Sequence, residues 1–136
     1  MASGFTTAKR DAILTAEFKT ATVYGALFSA DPGDAGSTAN EVADAYDYAR
    51  TAITFGTDAA AGSIANTAAL QFPAANGGDW FVSPNAVTHL GIATSNTHAA
   101  TTLIMTGSLT ASKEIGDGDQ LTFAIGAITC SIAAQA

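Results

Sequence analysis

The chain has 136 residues, of which 48% are hydrophobic, so it is long enough for one domain with a packed core. Charged residues make up only 12%, and 5 Lys and Arg against 12 Asp and Glu give a net charge of −7. This balance argues against nucleic-acid binding, which needs clustered cations. One cysteine excludes an internal disulfide. The apolar runs are too short to cross a bilayer, so no membrane partner is expected.

The N-terminal residues lack the apolar segment of a secretion signal, so we expect a protein made in the cytoplasm and used without export. The sparse charge suits a surface that packs against other protein. A coding bias towards small residues would give the same composition.

Residues 7–19 are the best helix candidate, because they lack Gly and Pro and contain many helix formers. Thr7 is the expected N-cap. We expect Ile13, Leu14 and Phe18 to pack on the chain's own sheet, because a helix of about three turns is marginal alone.

The N-terminal arm and helix, residues 1–20, are also the expected partner-binding element. Residues 1–19 carry a net charge of +1, from three cations against two acids, and the rest of the chain carries −8. We expect Lys9 and Arg10 to face outward towards an acidic neighbour, which charge asymmetry would attract. The full set of interface candidates in this element is Phe5, Lys9, Arg10 and Lys19.

From residue 21 the apolar pattern alternates with the period of strands, and turn residues separate the segments. In the first strand, two apolar faces indicate a central position in a sheet. In the sixth, Leu121, Phe123 and Ile125 are expected to point inward. The connections are too short for crossover helices, which favours an antiparallel β-sandwich, jelly-roll or immunoglobulin-like, of seven or eight strands in a single domain spanning 1–136. The predicted strands lie within 21–30, 48–55, 63–72, 86–94, 101–110, 119–125 and 127–134.

Arg50 is the only arginine after residue 10, and it follows a dense acidic segment. A guanidinium pairs well with a carboxylate, often through two hydrogen bonds. We predict a structural ion pair of Arg50 with Glu41 or Asp31 that holds the 31–47 loop on the sheet.

Trp80 and Phe81 adjoin a glycine-rich loop, where they are either a core plug or an anchor for a partner. A glycan site is a further alternative, because sugar sites use exposed aromatic rings beside Asp and Asn side chains. Its members would be Asn76, Asp79, Trp80 and Asn85.

No catalytic, cofactor or metal motif stands out, so we expect neither an enzyme nor a bound cofactor. His89 and His98 have no nucleophile elbow or metal-ligand spacing around them. Cys130 alternates with two isoleucines and is expected in the core. The Asp117–Asp119 turn and the acids of 41–47 do not match the twelve-residue calcium loop, so turn formation explains them better.

A set of motifs follows in order over nearly the whole chain: LFSADPGDAG (27–36), YARTAITF (48–55), NTAALQFP (66–73), VTHLGIAT (87–94), GSLTASK (107–113) and GDQLTF (118–123). No single motif is specific, but their succession resembles a group of small tailed-bacteriophage virion proteins, which includes tail-fibre-like and head decoration proteins.

The resemblance implies a β-sandwich, a structural role in the virion, frequent trimers and no catalytic residues. We therefore expect a capsid decoration (cement) protein on the outer head surface. It would bind the major capsid protein and copies of itself, as a homotrimer, and stabilise the shell by mass action. A tail-fibre or baseplate subunit is the structural alternative, and a glycan-binding module is the third.

Overall fold

The computed structural model describes residues 3–82 and 84–134. These residues form a mostly β structure with one short N-terminal helix, as predicted. The helix α1 is Thr7–Leu14 and continues as a π-helical segment, Thr15–Thr20. The strands are β1 (Val23–Phe28), β2 (Thr51–Ile53), β3 (Ser63–Ala65), β4 (Leu70–Gln71), β5 (Val87–Ala93), β6 (Leu103–Lys113), β7 (Thr122–Phe123) and β8 (Thr129–Ser131).

Every segment predicted as a strand contains one, and 63–72 contains two. The prediction for Ile125 is wrong: it is 69% exposed, because β7 ends at Phe123 and a turn follows, closed by the Ala127 N–H donating to the Ala124 carbonyl at 3.0 Å.

The helix is capped one residue earlier than predicted. The Thr6 hydroxyl accepts a hydrogen bond from the Lys9 N–H at 3.3 Å, and Thr6 itself is extended, with φ −63° and ψ 160°. Thr6 is therefore the N-cap, and Thr7 is already helical. At the other end, the Ala21 N–H donates to the Ala16 carbonyl at 3.3 Å, the wide spacing of a π-turn.

The largest sheet has four strands in the order β2-β1-β5-β6. The two apolar faces of β1 predicted its central position correctly, and five of its six residues are buried, all except Tyr24. β1 and β5 pair antiparallel from Tyr24 opposite Ala93 to Phe28 opposite His89. β3 and β8 also pair antiparallel, and β4 pairs with β7.

Strand β6 is paired on one side to β5, also antiparallel. The ladder is regular from Met105 opposite Ile92 to Ser108 opposite His89. Leu103 stands opposite Ala93, so Ile104 is an extra residue in β6 that has no partner in β5. The next four residues, 109–112, stand opposite a single β5 residue, Thr88, so they arch out of the ladder. Pairing resumes at Lys113 opposite Val87.

The chain forms two compact units. Unit 1 comprises Met1–Val23, Ile53–Leu70 and Phe123–Ala136, and unit 2 comprises Tyr24–Ala52 and Gln71–Thr122. The closed sandwich and the single-domain organisation stay predictions. In the described residues no helix is long and apolar enough to span a membrane. The buried apolar residues of unit 1 include Leu14, Phe18, Phe55, Ile64 and Cys130, and those of unit 2 include Leu27, Phe28, Val42, Phe72, Val87 and Ile115.

Candidate interaction surface

Arg50 and Glu41 form a buried, two-pronged ion pair in unit 2. Arg50 Nε donates to Glu41 Oε1 and Arg50 Nη2 donates to Glu41 Oε2, both at 2.8 Å. The two side chains are 0% and 1% exposed. Such a parallel pair of charge-assisted hydrogen bonds fixes both the distance and the angle between the side chains.

The remaining donors and acceptors of this pair hold the loop before β6. Arg50 Nη1 donates to the Ser95 carbonyl at 3.0 Å and Nη2 to the Ala100 carbonyl at 3.1 Å. The Ala99 N–H donates to Glu41 Oε2 at 3.1 Å. The pair therefore joins three stretches of unit 2, around residues 41, 50 and 95–100.

Of the two carboxylates considered for Arg50, the structure brings Glu41 to it. Asp31 instead accepts a hydrogen bond from the Gly33 N–H at 2.9 Å, so its carboxylate shapes the turn in which Gly33 has φ +67°. An aspartate at the start of a turn commonly bonds the backbone two residues on.

Tyr48 completes the buried cluster. Its hydroxyl donates to Glu41 Oε1 at 3.0 Å and accepts from the Leu27 N–H at 3.1 Å. Burial, together with the neighbouring Glu41 charge, raises the pKa of Tyr48 far above its usual value. The hydrogen bond to Glu41 raises the pKa of Arg50, so the guanidinium is charged at every physiological pH.

Trp80, one of the two interface candidates in this unit, lies in the core. It is 6% exposed, its ring meets the Tyr48 ring edge-on at 5.3 Å between centroids, and its Nε1 donates to the Tyr46 carbonyl at 2.9 Å. Of the two alternatives for Trp80, the structure therefore supports the core plug, because the apolar ring surface and the indole N–H are both used inside unit 2. Phe81 is half-buried, and its backbone pairs with Ile115.

The exposed aromatic side chain of this region is Tyr46, which the sequence analysis missed. It is 48% exposed and has φ +54°, and the next residue, Asp47, has φ +64°. A Cβ atom at Gly78 would lie 2.5 Å from the Tyr46 ring, so the ring rests directly on that glycine. Two successive non-glycine residues in the left-handed region are costly, and the Trp80 bond helps to hold them there.

In unit 1, Arg10 does not face outward as predicted. It is 8% exposed, Nη1 donates to the Ile132 carbonyl and Nη2 to the Thr7 hydroxyl, both at 2.9 Å, and its buried Nε has no partner among the described residues. The reason is its place on the helix: Arg10 shares the buried stripe of Leu14 and Phe18, at spacings of four residues.

The other N-terminal candidates are at the surface. Phe5 is one of the exposed large hydrophobic residues, and Lys9 is exposed. Lys19 is exposed as well, but its Nζ lies 2.6 Å from Asp58 Oδ1 within unit 1. Phe5 and Lys9 therefore remain available for an interface.

The residues considered for chemistry have structural partners. His89 Nδ1 lies 2.8 Å from the Thr88 hydroxyl, and His98 Nε2 donates to the Val42 carbonyl at 2.8 Å. Burial raises the pKa of Cys130 to about 12. Asp119 accepts from the Gly116 N–H at 3.0 Å, as in a turn, whereas Asp117 accepts from the distant Gly77 N–H at 2.8 Å. Within 3–82 and 84–134, no three His, Cys, Asp or Glu side chains are grouped as metal ligands.

The arrangement is that of a protein whose polar groups organise its own loops. A comparison with curated proteins found no match. The model of a family described as podophage GP4 fiber I protein gp80 matches residues 8–131, which is nearly the whole chain. The motif order had indicated a small virion protein of tailed phages, and this match confirms it: the chain belongs to the podophage GP4 fiber I protein family.

Proposed function

We propose that this protein is a non-catalytic fibre subunit that works by binding other proteins of the virion. The family match over residues 8–131 carries the proposal, because the family is described as a fibre protein. The structure supports a mechanical role: a buried ion pair with side chains 0% and 1% exposed makes unit 2 rigid around its surface loops. Rigid surfaces bind with less loss of conformational entropy.

The proposed partners are copies of the same chain, as a homotrimer, together with the head or tail protein that carries the fibre. Closed rings built from one repeated contact are a common form of homo-oligomer. Phe5 and Lys9 are the proposed N-terminal contacts, because both are exposed while Arg10 is used internally. A closed β-sandwich, jelly-roll or immunoglobulin-like, is the proposed architecture of the subunit.

Decoration of the outer head surface, in contact with the major capsid protein, is the second candidate. The net charge of −7 favours it, because an acidic protein suits the exterior and is repelled by packaged DNA. The glycan-binding alternative has lost its support, since it required an exposed Trp80 and that side chain is 6% exposed.

The copy number in purified particles separates the two candidates. Quantitative mass spectrometry should find a handful of copies per particle for a fibre, but numbers on the scale of the coat protein for a decoration protein. Imaging of the particles at subunit resolution should then place the subunit on a fibre. Absence of the chain from washed, infectious particles would contradict both candidates.

The proposed homotrimer and its N-terminal contact are tested by two further measurements. Sedimentation of the purified protein should give three times the monomer mass, and reversal of Lys9 to Glu should weaken attachment to the particle without changing the melting temperature. Thr57→Glu, which also adds a negative charge but on an exposed loop, is the control. Unchanged occupancy of the Lys9 variant at moderate salt would contradict the N-terminal contact.

A further inference from the structure

The two edges of the four-stranded sheet are very different. One edge is β2, which has 3 residues, and the other is β6, which has 11. An outer strand presents a row of backbone N–H and C=O groups that no strand of its own sheet satisfies, and such a row is a template for pairing with another chain. A three-residue edge is too short to be an effective template, whereas β6 is long enough.

Strand β6 also lacks the usual protection of an edge. Proteins commonly block such edges with charged side chains or proline. Residues 99–112 contain neither: there is no Asp, Glu, Lys, Arg, His or Pro between His98 and Lys113. Two irregularities interrupt the strand, the extra residue Ile104 and the arch at 109–112, and they leave 105–108 as a regular stretch; we call the outward side of this stretch the β6 edge.

Among the described residues, no backbone hydrogen bond joins 105–108 to a residue outside β5. The sheet faces beside this edge carry little bulk: a Cβ atom placed on Gly107 would meet nothing within 4 Å, and Ile104 is 39% exposed. Glycine inside a strand weakens it, and often marks a place where another backbone approaches closely.

The charge distribution indicates which chain pairs there. Two copies that each carry −7 repel one another, so they approach at least cost through a surface without charge. The β6 edge is such a surface. In addition, a strand edge matches its own copy when the two run antiparallel, because each residue then bonds its counterpart reciprocally around a two-fold axis.

We propose that the β6 edge pairs antiparallel with the β6 edge of a second copy of this chain. The inference rests on the proposed role as an assembling virion protein, and it adds a two-fold contact to the proposed three-fold one. A four-residue pairing buries less area than the roughly 1,200 Å² of a stable specific interface. The contact is therefore weak between free subunits and becomes effective where the virion holds copies close together.

Single cysteines placed along the β6 edge can trap this contact as a disulfide between two copies. The variants are Ile104→Cys, Met105→Cys, Thr106→Cys, Gly107→Cys and Ser108→Cys, oxidised in concentrated purified protein and in particles. Directly opposed residues of an antiparallel pair are about 4.5–5.5 Å apart between Cα atoms, within the range that a disulfide spans. Burial raises the pKa of the native Cys130 to about 12, so that thiol competes little.

The expected result is a peak of covalent dimer at one position or two adjacent positions, falling on both sides, since only residues near a two-fold axis face their own copies. Thr57→Cys, on an exposed loop, gives the background level. A profile that stays at this background in protein and in particles overturns the proposal.

A charge on the edge provides the second test. A lysine at the residue next to the cysteine that gives the peak should lower the dimer yield about fivefold, because two like charges then lie diagonally across the pair. Thr57→Lys should leave the yield unchanged. An unchanged yield with the neighbouring lysine also overturns the proposal.

The two proposals can fail separately. If the cysteine peak appears but the protein is absent from particles, the proposed function fails and the β6 pairing stands. If the protein is a trimer on particles but no cysteine peak appears, the β6 pairing fails and the proposed function stands.

Discussion

Each of the two compact units buries an arginine, and the two guanidinium groups have different partners. In unit 2, Arg50 meets the Glu41 carboxylate with two bonds of 2.8 Å and bonds two carbonyls. In unit 1, Arg10 bonds one carbonyl and one hydroxyl, and its Nε is unpaired among the described residues.

The difference shows that burial alone does not make an arginine an organising centre. A buried charge is stabilised mainly by a counter-charge, and removing one member of a buried pair leaves the other uncompensated. Arg50 has such a counter-charge in the Glu41 carboxylate. Arg10 contributes the contacts of its aliphatic stem and two neutral acceptors, so an apolar side chain of similar length can replace much of it.

The largest expected effect is that of Arg50→Met. This change leaves the Glu41 carboxylate buried without its cation, which should lower the free energy of unfolding by about 3–5 kcal/mol. Urea denaturation followed by circular dichroism measures the loss. The double variant Arg50→Met with Glu41→Leu should recover a large part of it, and a double variant no better than the single one would contradict the account of a coupled pair.

Tyr48→Phe should have the next largest effect. It removes the hydroxyl that joins Glu41 Oε1 to the Leu27 N–H, at 3.0 and 3.1 Å, and leaves that N–H without its acceptor. The expected loss is about 1–3 kcal/mol. Tyr24→Phe, at a half-buried position of β1, is the control and should lose less. Equal losses would show that the hydroxyl network adds nothing.

The Tyr48 hydroxyl also makes the free energy of unfolding depend on pH in the alkaline range. The pKa of Tyr48 is raised in the folded state, whereas the unfolded chain has the ordinary value near 10. Above pH 10 the unfolded state releases a proton that the folded state keeps, so the free energy of unfolding falls by about 1.4 kcal/mol per pH unit from this group. Below pH 10 the contribution is fully present. The curve of Tyr48→Phe should be flatter by this amount between pH 11 and 12.

Arg10→Met tests the other side of the comparison. It removes two hydrogen bonds but also an unpaired buried Nε, so the expected change in the free energy of unfolding is only about 1 kcal/mol. Thermal unfolding of this variant beside Arg50→Met gives the difference directly. A loss as large as that of Arg50→Met would mean that Arg10 has a counter-charge outside the described residues.

The smallest expected effect is a gain in the free energy of unfolding. Ala61 is exposed and has φ +54°, a conformation that glycine adopts freely. Ala61→Gly should raise the free energy of unfolding by about 0.5 kcal/mol, since relief of the strained backbone outweighs the added freedom of the unfolded chain. Ala69→Gly, an exposed alanine outside the left-handed region, should lower it. If both variants lose stability equally, the φ value is not the cause.

The strands could be predicted from the sequence because alternation and turn residues are local signals. The division of 63–72 into β3 and β4 could not, since it depends on a distant partner. Asn66 is buried and donates to the carbonyls of Ala68 and Ala124, at 2.8 and 3.0 Å, while its Oδ1 accepts from the Ile128 N–H at 2.9 Å. These bonds replace ladder hydrogen bonds at that point.

The site was predictable only where two side chains recognise each other. Arg50 and Glu41 have opposite charge and lie near each other in the chain, whereas the carbonyls of Ser95 and Ala100 have no side-chain signal. The burial of Arg10 was visible in its spacing to Leu14 and Phe18, but its residue type suggested the surface. The left-handed backbone of Tyr46 has no signal, because the residue is not glycine.

The division of the chain between the two units has a consequence for synthesis on the ribosome. Unit 2 lies entirely within residues 24–122, whereas unit 1 needs β8 at Thr129–Ser131 to pair with β3. The pair Ala65 and Thr129 is 64 residues apart, a delay of about 3–13 seconds at ordinary rates of translation. All of unit 2 is therefore synthesised while β3 and α1 still lack their last strand. Chains truncated shortly after Thr122 and released from the ribosome should expose unit 1, and not unit 2, to proteases.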